Sequence, residues 1–296
     1  MNLTGVFAPV PTPFDDGDEV DVPRMRAAYP RWVDSPLSGL VVLGTTGEFG
    51  LLDDDESDLV VETARGLVPR TRTLIVGATR ESTRASVRAA KRAAGFGADA
   101  VLVRSPCFFK SQMDSDALLR HYTTVADTSP VPVLLYNFSA MTGVNVLPET
   151  VAQLAEHPNI IGIKESGSDI PQLSALVTST PGTFRVLSGS GSAFHSALRA
   201  GASGGILALA CLLPEACVLL FELARDKRHE EARALQLRLL PIARLISTIH
   251  GLPGLKAALK LKGCDVGRPR PPLAPASESA VTSLRDALAA FEEVTA

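Results

Sequence analysis

A lysine that ends an apolar run is the residue best placed to do chemistry in this chain. Lys164 follows Asn159-Ile160-Ile161-Gly162-Ile163, so its amine would enter an apolar wall, where desolvation disfavours the ammonium form. A neutral amine is a nucleophile able to form an imine with a 2-oxo acid such as pyruvate. The competing reading makes Lys164 one half of a structural ion pair with its neighbour Glu165. Tyr136 ends a second apolar run and is one of three tyrosines. A phenol in that position can pass protons if another hydroxyl assists it, since its ordinary pKa is about 10. Thr46 is the candidate for that hydroxyl. The alternative for Tyr136 is a packing aromatic whose O–H rests on a backbone carbonyl.

Gly44-Thr45-Thr46-Gly47-Glu48 sets two hydroxyls between two glycines, a sequence able to turn sharply and aim N–H groups and threonine side chains at one anion. A carboxylate fits, although a tight turn with no ligand would read the same way. Ser188-Gly189-Ser190-Gly191 has the look of a phosphate-cradling turn but lacks the glycine-lysine pair of a P-loop, so backbone contact with a substrate is the better expectation.

These residues need a frame that brings their strand ends to one place. Short β-branched apolar runs recur at 5–14, 39–44, 73–78, 98–105, 131–138, 160–166, 184–190 and 204–210. Between them lie segments with helical spacing, among them 54–66, 82–95, 114–127, 147–156 and 192–200, each long enough for a crossover helix. Eight such units, with strands apolar on both faces, predict an α/β protein built as a (β/α)8 TIM barrel, whose site forms at the C-terminal ends of its strands. Gly66, Gly95 and Gly201 stand where left-handed helix ends are expected. Further helical segments at 213–224, 229–249 and 252–262 and the Pro-rich 268–275 predict a C-terminal helical extension packed on the barrel, dividing the chain into 1–224 and 225–296. The other fold weighed, an open doubly wound sheet, would call for a Gly-x-Gly-x-x-Gly after the first strand, and none is there.

Composition narrows the function classes. The net charge is −3, with basic and acidic residues interspersed, which offers no stripe for nucleic acid or for an anionic membrane surface. The apolar stretch 205–224 has the length of a membrane span but is broken by Pro214 and Glu215, and it reads as a strand, a turn and a helix with Pro214 in its first turn. Cys107, Cys211, Cys217 and Cys264 form no CxxC pair and lie at no metal-ligand spacing. None of the five histidines (His121, His157, His195, His229 and His250) ends a predicted strand, so no metal is expected. The N-terminal residues show no basic leader before an apolar stretch, and a reducing cytoplasm is the expected compartment.

The chain resembles the dihydrodipicolinate synthase and N-acetylneuraminate lyase superfamily over about 5–275, through Gly44-Thr45-Thr46-Gly47-Glu48, Tyr136-Asn137, Gly162-Ile163-Lys164-Glu165-Ser166 and Gly204-Gly205-Ile206. The resemblance implies that Lys164 forms the imine, that Tyr136 with Thr46 relays protons, and that Thr45 with Thr46 holds the substrate carboxylate. It further implies that Gly189 and Ile206 line the pyruvyl pocket, that no cofactor is used, and that the chain assembles as a homotetramer, a dimer of dimers. Within the superfamily it is most similar in look to 4-hydroxy-2-oxoglutarate aldolases of the mitochondrial type, through Ser105-Pro106-Cys107-Phe108-Phe109-Lys110 and Gly251-Leu252-Pro253-Gly254-Leu255-Lys256 among other segments. True synthases carry an arginine where this chain has Met141, and a tyrosine lent across a subunit interface where it has Phe108. A thioether cannot grip a carboxylate, and a phenyl ring has no proton to pass. The expected activity is therefore aldol cleavage or formation of a 4-hydroxy-2-oxo acid. The alternatives are 4-hydroxy-tetrahydrodipicolinate synthesis, dehydration of a deoxy sugar acid, and a non-catalytic barrel that binds a 2-oxo acid.

Overall fold

A computed structural model describes residues 3–293. Its eight strands are β1 (Gly5–Pro9), β2 (Gly39–Val42), β3 (Thr73–Gly77), β4 (Ala100–Arg104), β5 (Val133–Asn137), β6 (Ile160–Glu165), β7 (Arg185–Ser188) and β8 (Gly204–Ile206). They hydrogen-bond in chain order, all parallel, and β8 closes on β1. Each strand falls within one of the eight apolar runs, because strands covered on both faces carry apolar residues on both.

The helices are α1 (Val22–Ala28), α2 (Pro30–Val33), α3 (Asp54–Leu67), α4 (Thr83–Gly95), α5 (Ser115–Thr128), α6 (Ser139–Thr142), α7 (Pro148–Leu154), α8 (Ile170–Ser179), α9 (Phe194–Arg199), α10 (Leu209–Leu212), α11 (Pro214–Arg225), α12 (His229–Arg244), α13 (Gly251–Leu261) and α14 (Glu278–Glu293). A π-helical turn, Leu245–Ile249, joins α12 to α13. Among the described residues no helix is long and apolar enough to cross a membrane. The stretch 205–224 resolves into β8, the short α10 and α11, with Pro214 in the first turn of α11, where its missing N–H removes no hydrogen bond.

Two helix ends differ from expectation. Gly66 lies inside α3, which runs on to Leu67, and Gly95 is the last residue of α4; the left-handed position after α4 falls on Gly97, at φ 90°. Gly201 does take φ 100° after α9. The last helix, α14, was not separately legible after the Pro-rich 268–275. It packs against α12 and α13.

Strand alternation divides the core in two. Inward residues, among them Phe7, Val41, Ile75, Leu102, Leu134 and Leu187, fill the barrel, and Tyr136 and Ile206 belong to the same cluster. Outward residues such as Val101, Val103, Val133 and Leu135 pack under the helices. Burial of each large apolar side chain stabilises the fold by roughly 1.5–3 kcal/mol. The interior is thus packed up to the level of Tyr136, and chemistry is confined to the mouth above it.

Candidate active site

Lys164 and Tyr136 are register partners on β6 and β5, so their side chains leave the strands on the same, inward face. Lys164 is 4% exposed, and its Nζ lies 4.3 Å from the centroid of the Tyr136 ring. The phenol oxygen of Tyr136 is 3.1 Å from Oγ1 of Thr45. This corrects the pairing of Tyr136 with Thr46: the hydroxyl on the phenol is that of the preceding residue. Successive side chains in a tight turn diverge, so only one of the two threonines reaches Tyr136. Thr46 is half-buried in the same turn.

The turn differs from its sequence reading in a second respect. The left-handed residues are not its glycines but Leu43, at φ 55°, and Glu48, at φ 56°. Non-glycine residues in this conformation carry strain that the surroundings must hold. At Leu43 the holder is Gly77 on β3, since a Cβ there would stand 1.8 Å from the Leu43 carbonyl oxygen. At Glu48 it is an ion pair with Lys256 of α13, Oε1 to Nζ 2.6 Å, with both side chains buried. The Arg270 backbone N–H donates to the other carboxylate oxygen at 2.8 Å. Lys256 Nζ also donates to the Thr12 and Arg268 carbonyls, at 2.8 and 3.0 Å. Burial pushes the Lys256 ammonium below its ordinary value, and the attraction of Glu48 only partly offsets this. The C-terminal segment thereby clamps the threonine turn from outside the barrel.

Glu165 is not the partner of Lys164. It is 1% exposed and faces outward, where Oε2 accepts from Asn137 Nδ2 at 2.7 Å and from Gln172 Nε2 at 2.9 Å. Its Oε1 accepts from the Gly167 N–H at 2.7 Å. Asn137 Oδ1 in turn accepts from the Val146 N–H. Residues 137 and 165 therefore fix the loops after β5 and β6, and among the described residues Glu165 does not pair with the lysine.

Gly189 follows β7 and donates its N–H to the Glu165 carbonyl at 2.6 Å; a Cβ at Gly189 would meet Ser166 Oγ at 2.0 Å. Ile206 ends β8 in the inward cluster with Tyr136. Met141 is 60% exposed on α6. Phe108 and Phe109, in the loop after β4, stack edge to face and are 78% and 68% exposed. The histidines lie on or beside helices: His121 on α5, His195 on α9, His229 opening α12, His157 before β6 and His250 before α13.

One residue passed over by the sequence reading is Arg104, which ends β4 inside a run counted as apolar. It is 6% exposed and pairs with Glu81, Nη2 to Oε1 3.0 Å. Burial raises the Glu81 carboxyl, but the N–H groups of Phe108 and Cys107 and the Arg104 guanidinium outweigh this, and its pKa lies below the ordinary value. An arginine closing a strand was the signal that could have found it.

A buried lysine one residue from the end of the sixth strand, stacked on a tyrosine whose hydroxyl meets a threonine, defines a (β/α)8 barrel equipped for imine chemistry. The chain belongs to the dihydrodipicolinate synthetase family, whose model matches residues 2–291. It is a lyase of the Schiff-base type, a class I pyruvate aldolase in the broad sense. It is 35% identical over 293 residues to the 4-hydroxy-tetrahydrodipicolinate synthase of an Exiguobacterium species, covering 99% of both chains. It is 34% identical over 284 residues to a probable mitochondrial 4-hydroxy-2-oxoglutarate aldolase of Emericella nidulans, covering 94% of this chain and 92% of that one. The fold superposes with a TM-score of 0.94 on the chloride-inhibited dihydrodipicolinate synthase of Acinetobacter baumannii complexed with pyruvate. That enzyme is 28% identical, with 98% of this chain and 99% of that one covered.

Proposed function

We propose that the chain cleaves, and in reverse forms, a 4-hydroxy-2-oxo acid such as 4-hydroxy-2-oxoglutarate through an imine on Lys164. The observation that supports this most directly is the stacking of Lys164 Nζ on Tyr136 with the phenol bonded to Thr45, while Glu165 is occupied elsewhere. The amine adds to the C2 ketone, and Tyr136 gives its proton to the departing hydroxide, leaving an iminium and a phenolate. The phenolate takes the 4-hydroxyl proton, the C3–C4 bond breaks, and its electrons neutralise the iminium to the enamine of pyruvate as the aldehyde leaves. Tyr136 then protonates C3, and water releases pyruvate and the amine.

Thr45 holds the phenol for these transfers. Thr46 and the N–H groups of its turn bind the C1 carboxylate, and Gly189 and Ile206 line the pyruvyl group. The fixed carboxylate aligns the C3–C4 bond for cleavage. The assembly that accompanies this reading is a homotetramer, to which the exposed Phe108 and Phe109 lend apolar surface; light scattering measures it directly.

The synthase reading is the alternative favoured by the Exiguobacterium relative. The test is pyruvate release from 4-hydroxy-2-oxoglutarate, followed through lactate dehydrogenase, beside pyruvate consumption with aspartate 4-semialdehyde. Cleavage that disappears in Lys164→Ala supports the aldolase. Condensation without cleavage replaces it with the synthase, and cleavage that survives Lys164→Ala removes the imine.

A further inference from the structure

A guanidinium stands at the barrel mouth that the imine chemistry does not use. β4 and β6 are the strands that carry a cation in their last two residues, Arg104 and Lys164. Arg104 continues the inward series of Ala100 and Leu102 and is the register partner of Tyr136, so it flanks the phenol on the side opposite Lys164. Its guanidinium lies over the ring of Phe49, 5.7 Å from the centroid, and Phe49 directly follows the threonine turn.

Its bonding is incomplete for a buried cation. Of five N–H donors, one meets Glu81 Oε1 and one meets Cys107 Sγ at 2.9 Å, a weak acceptor. The second Glu81 oxygen is taken by the N–H groups of Cys107 and Phe108, both at 2.9 Å, so the fork-to-fork pairing an arginine makes with a free carboxylate is not formed. Glu81 is itself half exposed and reaches in from the loop after β3.

We infer that Arg104 binds the second carboxylate of a dicarboxylate substrate and so selects which 4-hydroxy-2-oxo acid is cleaved. This rests on the imine reading above. With the C1 carboxylate in the threonine turn and C2 on Lys164, the chain beyond the 4-hydroxyl at Tyr136 continues toward β4, where the guanidinium can take a bidentate carboxylate.

The test compares kcat/KM for 4-hydroxy-2-oxoglutarate with that for 4-hydroxy-2-oxopentanoate, which has a methyl group where the former has its second carboxylate. Wild type and Arg104→Met are measured, with Arg104→Lys as the variant that keeps the charge. Trapping of pyruvate on Lys164 by borohydride reports that each variant is folded. The ratio favouring the dicarboxylate is expected to fall about a hundredfold in Arg104→Met, in line with loss of a desolvated charge partner, and to recover in part in Arg104→Lys. A ratio within twofold of wild type, including a parallel loss on both substrates, overturns the inference while imine trapping leaves the aldolase reading standing. Absence of trapping in wild type overturns both.

Discussion

Tyr136 touches both halves of the site at once: its ring lies under Lys164 Nζ at 4.3 Å and its oxygen is 3.1 Å from Thr45 Oγ1. Tyr136→Phe separates the two contacts, since it keeps the ring and removes the proton carrier. Imine trapping with pyruvate and borohydride should still label Lys164 in this variant, but more slowly, because the phenol also protonates the departing hydroxide, while kcat for cleavage falls by roughly 10²–10⁴, the span of a general acid–base group. Unchanged turnover would remove Tyr136 from the proton path.

The two threonines should separate by kinetic parameter. Thr45→Val leaves the phenol without its partner and is expected to lower kcat with little change in KM. Thr46→Val removes a carboxylate donor and is expected to raise KM first, by about five- to tenfold, the worth of one hydrogen bond of roughly 1–1.5 kcal/mol. The reverse pattern, measured as initial rates over a range of substrate, would restore Thr46 as the phenol's partner.

What could be read from the sequence follows from how each feature is encoded. The eight strands were legible because a parallel barrel buries both faces of each strand, and an apolar run is a local signal. Lys164 and Tyr136 stood out as polar residues ending such runs. The choice between Thr45 and Thr46 was not legible, because it depends on left-handed backbone at Leu43 and Glu48, where no glycine marks it. The counter-ion of Glu48 is Lys256 on α13, a pairing made only by the closed fold. Arg104 was lost to averaging over its run, and the outward turn of Glu165 depends on the one-residue parity of β6.

The Glu48–Lys256 pair yields a stability prediction. Both side chains are buried, so Lys256→Met leaves an unpaired carboxylate beneath the threonine turn and should lower unfolding free energy by about 3–5 kcal/mol. Glu48→Gln can still accept from the Arg270 N–H but strands the ammonium, and a loss of similar size is expected. The double substitution should cost less than the two losses added, which denaturant titration of all four proteins measures. Strict additivity would mean that the pair does not hold the turn.

His121 sets an acid limit to stability. It is 4% exposed, and burial lowers its pKa from 6.5 to about 4, against a small opposing pull from Glu81. Its Nδ1 is 2.9 Å from Thr83 Oγ1 while Nε2 is buried without a partner, so an imidazolium, protonated on both nitrogens, would carry an Nε2–H with no acceptor. Between about pH 6.5 and 4 the unfolded chain binds the proton and the folded chain does not. The contribution is therefore fully present above the unfolded value and is lost as pH falls toward the folded one, to an extent of order 3 kcal/mol. His121→Gln, which has no charge to gain, should flatten the fall of melting temperature across that window relative to wild type. Equal slopes in the two proteins would show that His121 is protonated at no cost and that the neighbouring carboxylates alone set the acid limit.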